Sequence, residues 1–493
     1  MSRINTNVQS LVAQRALASN NASLNQALER LSTGLRINTG RDDPAGLIAS
    51  ETLRSSIRAI DTAIDNATRA DTVVAVAEGG LQEISTLLLE LEGLVDQSAN
   101  EGGLTDEEIS ANQLQIDSIL ASINRLAEAT AFGNKKLLNG NFDFSTGGVQ
   151  TSSIDRAQVN SAKIPTGATR QVNITTQTAS QLAVLSAVTA GTDASGNSNG
   201  TLNGVTTFQV RGEFGSEILS FASGTTTAQI ATAINSSRDL TGVSAIASST
   251  TGIRFNSTSY GGDSFVSVSV INNLSGFTSI DSAGASSPGA LAQETETNGV
   301  DGTVIINGAN GIVNGREVSV RSGALSLDLT LTTDAISTAN ASTSFNITGG
   351  GAIFSISPTV GLSGQEAVGV GEVSTAKLGE AGTGFLASLG SGEANQLTSK
   401  NFSTGQRVIR SAIDQVASLR GRLGGFQQNT LRTTINSLRV SLENVTAAES
   451  AIRDADFAEE TSGLTRAQIL VNSSTSTLQL ANSAPQQVLA LIG

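Results

Sequence analysis

Two carboxylate pairs, Asp42/Asp43 and Asp454/Asp456, come nearest in type and spacing to residues that do chemistry. Paired carboxylates serve acid–base catalysis or oxygen-rich metal sites. Here each pair sits in a break between helical patterns, "RINTGRDDPAG" and "IRDADFAEETSG". Asp43 before Pro44 is a helix start: the carboxylate caps free N–H groups, and proline suits the first turn, where its missing N–H costs nothing. We therefore read Arg41, Asp42, Asp43, Pro44, Asp454 and Asp456 as connection residues, not as an acid–base or metal pair. The glycine-rich strings "SGNSNGTLNG" and "GANGIVNG" do not lead from a strand into a lysine-bearing helix start, so they read as turns and not as phosphate loops. The chain has no histidine, cysteine or tryptophan, and its one methionine is the initiator. That excludes Cys–His nucleophiles, Ser–His–Asp triads and Cys/His zinc sites, and with them the usual enzyme classes. No catalytic residue, cofactor or metal ligand is predicted.

The elements that must hold those breaks are long and helical. Leu17, Leu24 and Leu31 recur every seven residues, with Leu28 and Leu35 supplying the neighbouring seam, and one glycine, Gly34, lies before the break. Beyond the break, Ile60, Ala67, Val74, Leu81, Leu88 and Val95 keep the same period. As one helix from Pro44 to Asn100 this segment would measure about 85 Å, and it needs partners along its length. Ile109, Ile116 and Ile123 provide a shorter stripe. Near the other end, Leu431, Ile435, Leu438, Leu442, Val445 and Ile452 form another, and Leu464, Val471 and Leu478 follow a second break marked by Asp454, Asp456 and Gly463. Two antiparallel tiers, each pairing an N-terminal with a C-terminal helix, would bring the breaks side by side. The outermost stripes are diluted by Asn, Ser, Gln and Ala and look too weak to stand alone.

Between residues 141 and 396 the pattern turns to Ser, Thr and Gly with alternating Val, Ile and Phe, which favours strands. Residues 177–393 hold 16 acidic and 6 basic side chains, so most of the net charge of −14 lies in a soluble outer region. That charge argues against a nucleic-acid partner. No run of about 18 consecutive apolar residues predicts a membrane span, and the N-terminus lacks the pattern of a cleaved secretory signal.

At both ends the residues resemble a bacterial flagellin. "NTNVQSLVAQRALASNNASLNQALERLSTGLRINTGRDDPAG" is similar to the family's N-terminal pattern, and "AESAIRDADFAEETSGLTRAQIL" with "LQLANSAPQQVLALIG" to its C-terminal one. The likeness covers about the first 140 and the last 95 residues. A third stretch, "TTFQVRGEFGSEILSFASGTTTAQIATAINSSRDLTGVSAIASSTTGIRFNSTSYG", looks like the flagellin insert repeat, at about residues 206–260.

The resemblance implies an α+β multidomain chain: a long coiled-coil-like helical bundle from both termini and a β-rich outer region. Residues 1–40 and 456–493 would form an inner filament tier, residues 41–175 and 397–455 a helical rod, and residues 176–396 the solvent-exposed region. Leu17, Leu24, Leu28, Leu31, Leu464, Val471 and Leu478 would then be assembly positions. Ile60, Val74, Leu81, Leu88, Val95, Leu431, Leu438 and Val445 would be rod core. The implied partners are other copies of the chain, the flagellar cap and hook-associated proteins, and an export chaperone. The implied place is the extracellular flagellum, reached without a cleaved signal peptide. The runners-up are a hook–filament junction protein and a surface adhesin carried on the outer region. In the family, the segment recognised by the flagellin-sensing Toll-like receptor carries two arginines where this chain has Glu90 and Glu92, although Leu94 matches. That charge reversal argues against the same recognition.

Overall fold

A computed structural model of the chain describes residues 6–100, 102–165, 167–189, 200–247, 252–272, 277–282, 294–380 and 382–492. Its helices, in chain order, are α1 (Val8–Thr33), α2 (Pro44–Ser98), α3 (Asp106–Ala129), α4 (Thr227–Ser236), α5 (Arg238–Thr241), α6 (Thr333–Ser337), α7 (Phe402–Gly425), α8 (Arg432–Arg453) and α9 (Phe457–Ile492). The chain divides into two compact units. One comprises Met1–Thr72, Ser355–Gly364 and Gly425–Gly493; the other comprises Val73–Phe354 and Gln365–Gly424.

The helix ends follow from local chemistry. Asn7 caps α1, its side chain accepting from Ser10 N at 3.0 Å. Gly34 ends that helix in the left-handed region at φ 72°, returning its N–H to Arg30 O at 2.8 Å. Thr105 and Glu108 close a reciprocal capping box on α3.

In the first unit, α1 packs on α9, and the early turns of α2 pack on α8 around Ile60, Ala63 and Leu438, with Ile64, Leu442 and Val445 half-buried beside them. In the second unit the later turns of α2 bury Val74, Leu81, Leu88 and Val95, α3 buries Ile109, Ile116 and Ile123, and α7 buries Val408, Ala412, Val416, Leu419 and Leu423. Polar clamps run between α2 and α7: Arg420 Nε to Glu78 at 2.9 Å, Arg410 Nε to Glu92 at 3.0 Å, and Gln406 to Asp96 at 2.8 Å.

Between α7 and α8 the helix tightens no further but widens into a π turn, Phe426–Leu431. The buried stripe explains it. On α7 the stripe runs 405, 409, 412, 416, 419, 423, which would place the next core positions at 426 and 430. The leucine that is buried stands at 431, and α8 continues from it with 435, 438 and 442. One residue too many lies between the two stripes, and a π turn absorbs one extra residue without breaking the helix.

The β-rich middle is two β modules, one inserted into the other. The first has a five-stranded and a four-stranded sheet closing on Ile154, Val172, Ile174, Leu327, Leu329, Phe345 and Ile347. Its strand Leu325–Leu331 shows why: alternate side chains are buried, so one face is apolar throughout. The second module enters after strand Arg170–Thr178 of the first and returns before strand Thr303–Ile306. Two further four-stranded sheets and α4 enclose Leu185, Phe208, Ile230, Phe255 and Val268 there. The helical ends and β-rich middle are the architecture expected from the sequence.

Candidate assembly surface

The break after α1 is an ordered knot. Asp42 Oδ2 accepts from Thr39 N at 2.9 Å, Thr39 Oγ1 at 2.9 Å and Asn38 N at 3.3 Å. These bonds, led by the Thr39 backbone N–H, hold its carboxyl below the usual carboxylate range. Asp42 thus folds the knot, whereas Asp43 caps α2, accepting from Gly46 N at 2.9 Å. Pro44 opens the helix and Arg41 is exposed. Gly46 is required by close approach, since a Cβ there would lie 2.5 Å from Asp43 Oδ2 and 2.6 Å from Ile37 Cδ1. Ile37, which sequence reasoning passed over, is the knot's apolar plug at 1% exposure. Its only signal was an apolar residue inside a polar loop.

The second break lies against the first. Leu35 and Asp454 form an antiparallel bridge, Arg36 N donates to Arg453 O at 2.7 Å, and Ala455 N donates to Gly34 O at 3.0 Å. Asp454 ends α8 and receives Ser450 Oγ at 2.6 Å. Asp456 starts α9, accepting from Ala458 N at 2.8 Å. Gly463, read from the sequence as part of this break, instead lies inside α9. A single glycine costs a helix only about 1 kcal/mol, too little to end one that is capped and packed.

The outer helix pair is built on small residues. On α1 the inward stripe is Ser10, Ala13, Leu17, Asn20, Leu24, Ala27 and Leu31; on α9 it is Leu464, Ala467, Val471, Ser474, Leu478 and Ala481. Leu17, Leu24 and Leu31 are half-buried on this seam, as are Leu464, Val471 and Leu478. Leu28 is not on the seam: it is 47% exposed, because the alternating three–four spacing takes Ala27 instead. Polar contacts cross the same seam, Asn7 Nδ2 to Ala481 O at 2.6 Å, Ser10 Oγ to Asn482 at 2.7 Å, Asn20 Nδ2 to Ser474 Oγ at 2.6 Å, and Arg30 to Glu460 at 3.0 Å.

Off the seam, large apolar side chains face solvent. Val8, Leu11 and Val12 do so on α1, and Ile469, Leu470 and Leu480 on α9, the last at 70% exposure. Such apolar surface on a long exposed element marks a contact site. The predicted rod positions lie elsewhere: Ile60, Val74, Leu81, Leu88, Val95, Leu431 and Leu438 are buried, and Val445 is half-buried. Of the segment compared with a receptor site, Leu94 is buried, Glu92 is held by Arg410, and Glu90 accepts from Gln115 at 3.3 Å. Glu92 is therefore an interhelical pair member and not simply a solvated charge.

Among the described residues, one helix, α2, is long and apolar enough by length and composition to cross a membrane. Its apolar residues recur as a seam on one face, which suits helix packing in water equally well. Among the described residues no group of three or more carboxylates is placed to hold a metal.

Comparison with known proteins supplies the family context. Residues 4–143 match the bacterial flagellin N-terminal helical region, residues 407–492 the bacterial flagellin C-terminal helical region, and residues 207–259 the flagellin hook IN motif. The chain is 27% identical to flagellin C of Vibrio cholerae, with 99% of each chain covered. It is 29% identical to the B-type flagellin of Pseudomonas aeruginosa, again over 99% of both. A 40% identity to polar flagellin F of Vibrio parahaemolyticus spans 32% of this chain and 41% of that protein.

Proposed function

From the premise that this chain belongs to the bacterial flagellin family and is a structural subunit of the flagellar filament, we propose that α1 and α9 are its polymerisation arms, packing on other copies of the same chain. The observation that carries the reading is the uneven burial of this pair. One face closes a narrow seam, while Leu11, Val12, Ile469, Leu470 and Leu480 stay uncovered. Covering those side chains with equivalent helices of neighbouring subunits supplies the free energy of assembly, at about 25 cal/mol per Å² of apolar surface removed from water. Once filled by repetition of the same contact, the arms form the inner tier of a helical polymer, and the β modules face outward.

The subunit works by packing and not by chemistry. On this reading it leaves the cell through the flagellar export route with a chaperone, meets the cap and hook-associated proteins at the growing end, and resides outside the cell. The abundance of Ser, Thr and Gly in the β modules and their acidity suit a surface that stays soluble while the arms associate.

The test is seeded growth. Purified chain is added to sheared filament seeds and imaged by electron cryomicroscopy, beside a variant lacking residues 460–493. Long filaments from the full chain and none from the truncated one support the subunit reading. Short caps on the seeds would move the assignment to a junction protein.

A further inference from the structure

The seam between α1 and α9 has a register problem that its leucines do not solve. Leu17, Leu24 and Leu31 repeat every seven residues, and so do Leu464, Val471 and Leu478. Sliding one helix along the other by seven residues brings nearly the same apolar side chains together again. Between the leucines a stripe of small residues, Ala13, Asn20 and Ala27 on α1 and Ala467, Ser474 and Ala481 on α9, repeats at the same spacing, so a slip again sets small side chains against small ones. Burial alone therefore leaves the two alignments close in free energy.

The polar contacts are not degenerate. Asn20 meets Ser474 at 2.6 Å and also reaches Leu470 O at 3.4 Å. A slip of seven residues in either direction puts an alanine, Ala467 or Ala481, opposite Asn20 and strands a half-buried amide. A slip toward higher numbers also puts Ala467 in the place of Glu460 and leaves Arg30, whose side chain is 25% exposed, without its carboxylate. A slip toward lower numbers would have Ser10 exchange Asn482 for Thr475. A single polar residue at a seam position is enough to fix alignment in paired helices.

We infer that Asn20 with Ser474 and Arg30 with Glu460 are the positioning residues of the assembly arms: beyond the backbone bonds that join the two breaks, Ala455 N to Gly34 O and Arg36 N to Arg453 O, they hold one register of α1 on α9 along the seam, and the leucines supply cohesion without selecting it. This rests on the arms being the assembly elements, but the register can be read without a filament.

The chain has no cysteine, so introduced pairs report alignment on a clean background. Ala27 and Ala467 stand in the register that Asn20 and Ser474 define. The pair Ala27→Cys/Ala467→Cys therefore reports the native register, and Leu31→Cys/Val471→Cys, one heptad out of register and sparing both polar pairs, reports the slipped one. Each pair is oxidised in dilute chain and again after seed addition, intramolecular cross-links are counted, and sedimentation scores filament growth separately. The native pair should cross-link about tenfold more than the slipped pair, the scale of one lost seam contact. Adding Asn20→Leu to both should raise the slipped product several-fold, whereas Leu24→Ala should lower both yields and leave their ratio unchanged. An unchanged ratio with Asn20→Leu overturns the inference, as does equal cross-linking in the parent chain. For the charged pair, Arg30→Glu alone should admit the slipped product, and Arg30→Glu with Glu460→Arg should remove it again; a double variant no better than the single one overturns that half. If no filament sediments while the cross-link ratios come out as stated, the register assignment stands and the assembly reading fails.

Discussion

The terminal helix pair and the rod helices are built from the same seven-residue repeat, yet they bury their stripes very differently. Leu81, Leu88, Ile116 and Leu423 are wholly covered in the second unit. Leu17, Leu24, Leu464 and Leu478 on the α1–α9 seam are only half covered, and the fully buried places there go to serine and alanine. The rod's stripe is a folding core. The α1–α9 stripe holds two helices together and leaves large apolar side chains of both in solvent. Period alone does not separate these roles; side-chain volume at the seam does.

The sharpest way to break this contrast is to truncate one leucine of each kind. Leu88→Ala removes a fully buried side chain and should cost about 2–5 kcal/mol of stability, seen as a lower denaturant midpoint for the second unit. Leu480→Asp, on a 70% exposed side chain, should leave that midpoint within about 0.5 kcal/mol and yet abolish seeded growth. Equal loss of stability from the two substitutions would mean that the arms are core as well.

A smaller effect is expected at the knot between α1 and α2. Asp43→Ala removes the acceptor for Gly46 N at the start of α2 and should destabilise the first unit by about 1 kcal/mol, with the second unit unaffected. Amide exchange at Gly46 and Leu47 reads the change directly. Protection equal to the parent's would show that Pro44 and the knot suffice to start the helix.

The π turn offers a finer test. Deleting Gln428 removes the one residue by which the α7 and α8 stripes are out of phase, so the run should become a regular α-helix with stability changed by less than about 1 kcal/mol. Deleting Ser437 from α8 rotates every later core residue by about 100° and should unfold that helix pair. Circular dichroism and thermal unfolding distinguish the two; similar losses would show that the π turn does more than correct phase.

How far the sequence carried these points depended on what each feature needs. Heptads in α2, α3 and α8 were legible because Leu and Ile recur at fixed spacing and a long stripe has few alternatives. The knot was legible because Asp before Pro has one good explanation. Leu28 was not separable from the α1–α9 seam by spacing, because a step of four from Leu24 is as acceptable as the step of three to Ala27, and alanine carries little hydrophobic signal; it lies among the exposed apolar residues of α1 instead. The π turn required knowing two stripes and comparing their phase across Gly424 and Gly425. The nesting of the β modules could not be read, since the pairing of Arg170–Thr178 with Thr303–Ile306 joins residues more than a hundred positions apart. Asn20 and Ser10 looked like diluents of the stripe, and Arg30 was passed over, until their partners on α9 were known.

Acid should act on the two regions with opposite sign, and by the least. Thr39 hydrogen bonds lower the Asp42 carboxyl below its usual 3.8, so its contribution to the first unit is present above that value and is lost as pH falls through the lower folded one. Asp143 and Glu317, in the second unit, are shifted the other way. Burial raises both, and Glu317 is raised further by Glu380, while Phe144 N and Gln158 offset part of the rise at Asp143. A buried carboxyl with a raised value binds its proton more tightly when folded, so the second unit gains stability as pH falls through that value, and the gain is complete below the unfolded one. Between about pH 5 and pH 3 the Asp143→Asn variant should therefore lose part of the acid stabilisation that the parent shows, while Asp42→Asn should flatten the acid loss at the knot. Unfolding midpoints followed separately for helix and strand signals check both slopes. If Asp143→Asn leaves the strand signal's pH dependence unchanged, burial at the base of the β module is not what governs it, and the neighbouring Arg422, itself pushed down to about 10 by its own burial, becomes the group to vary next.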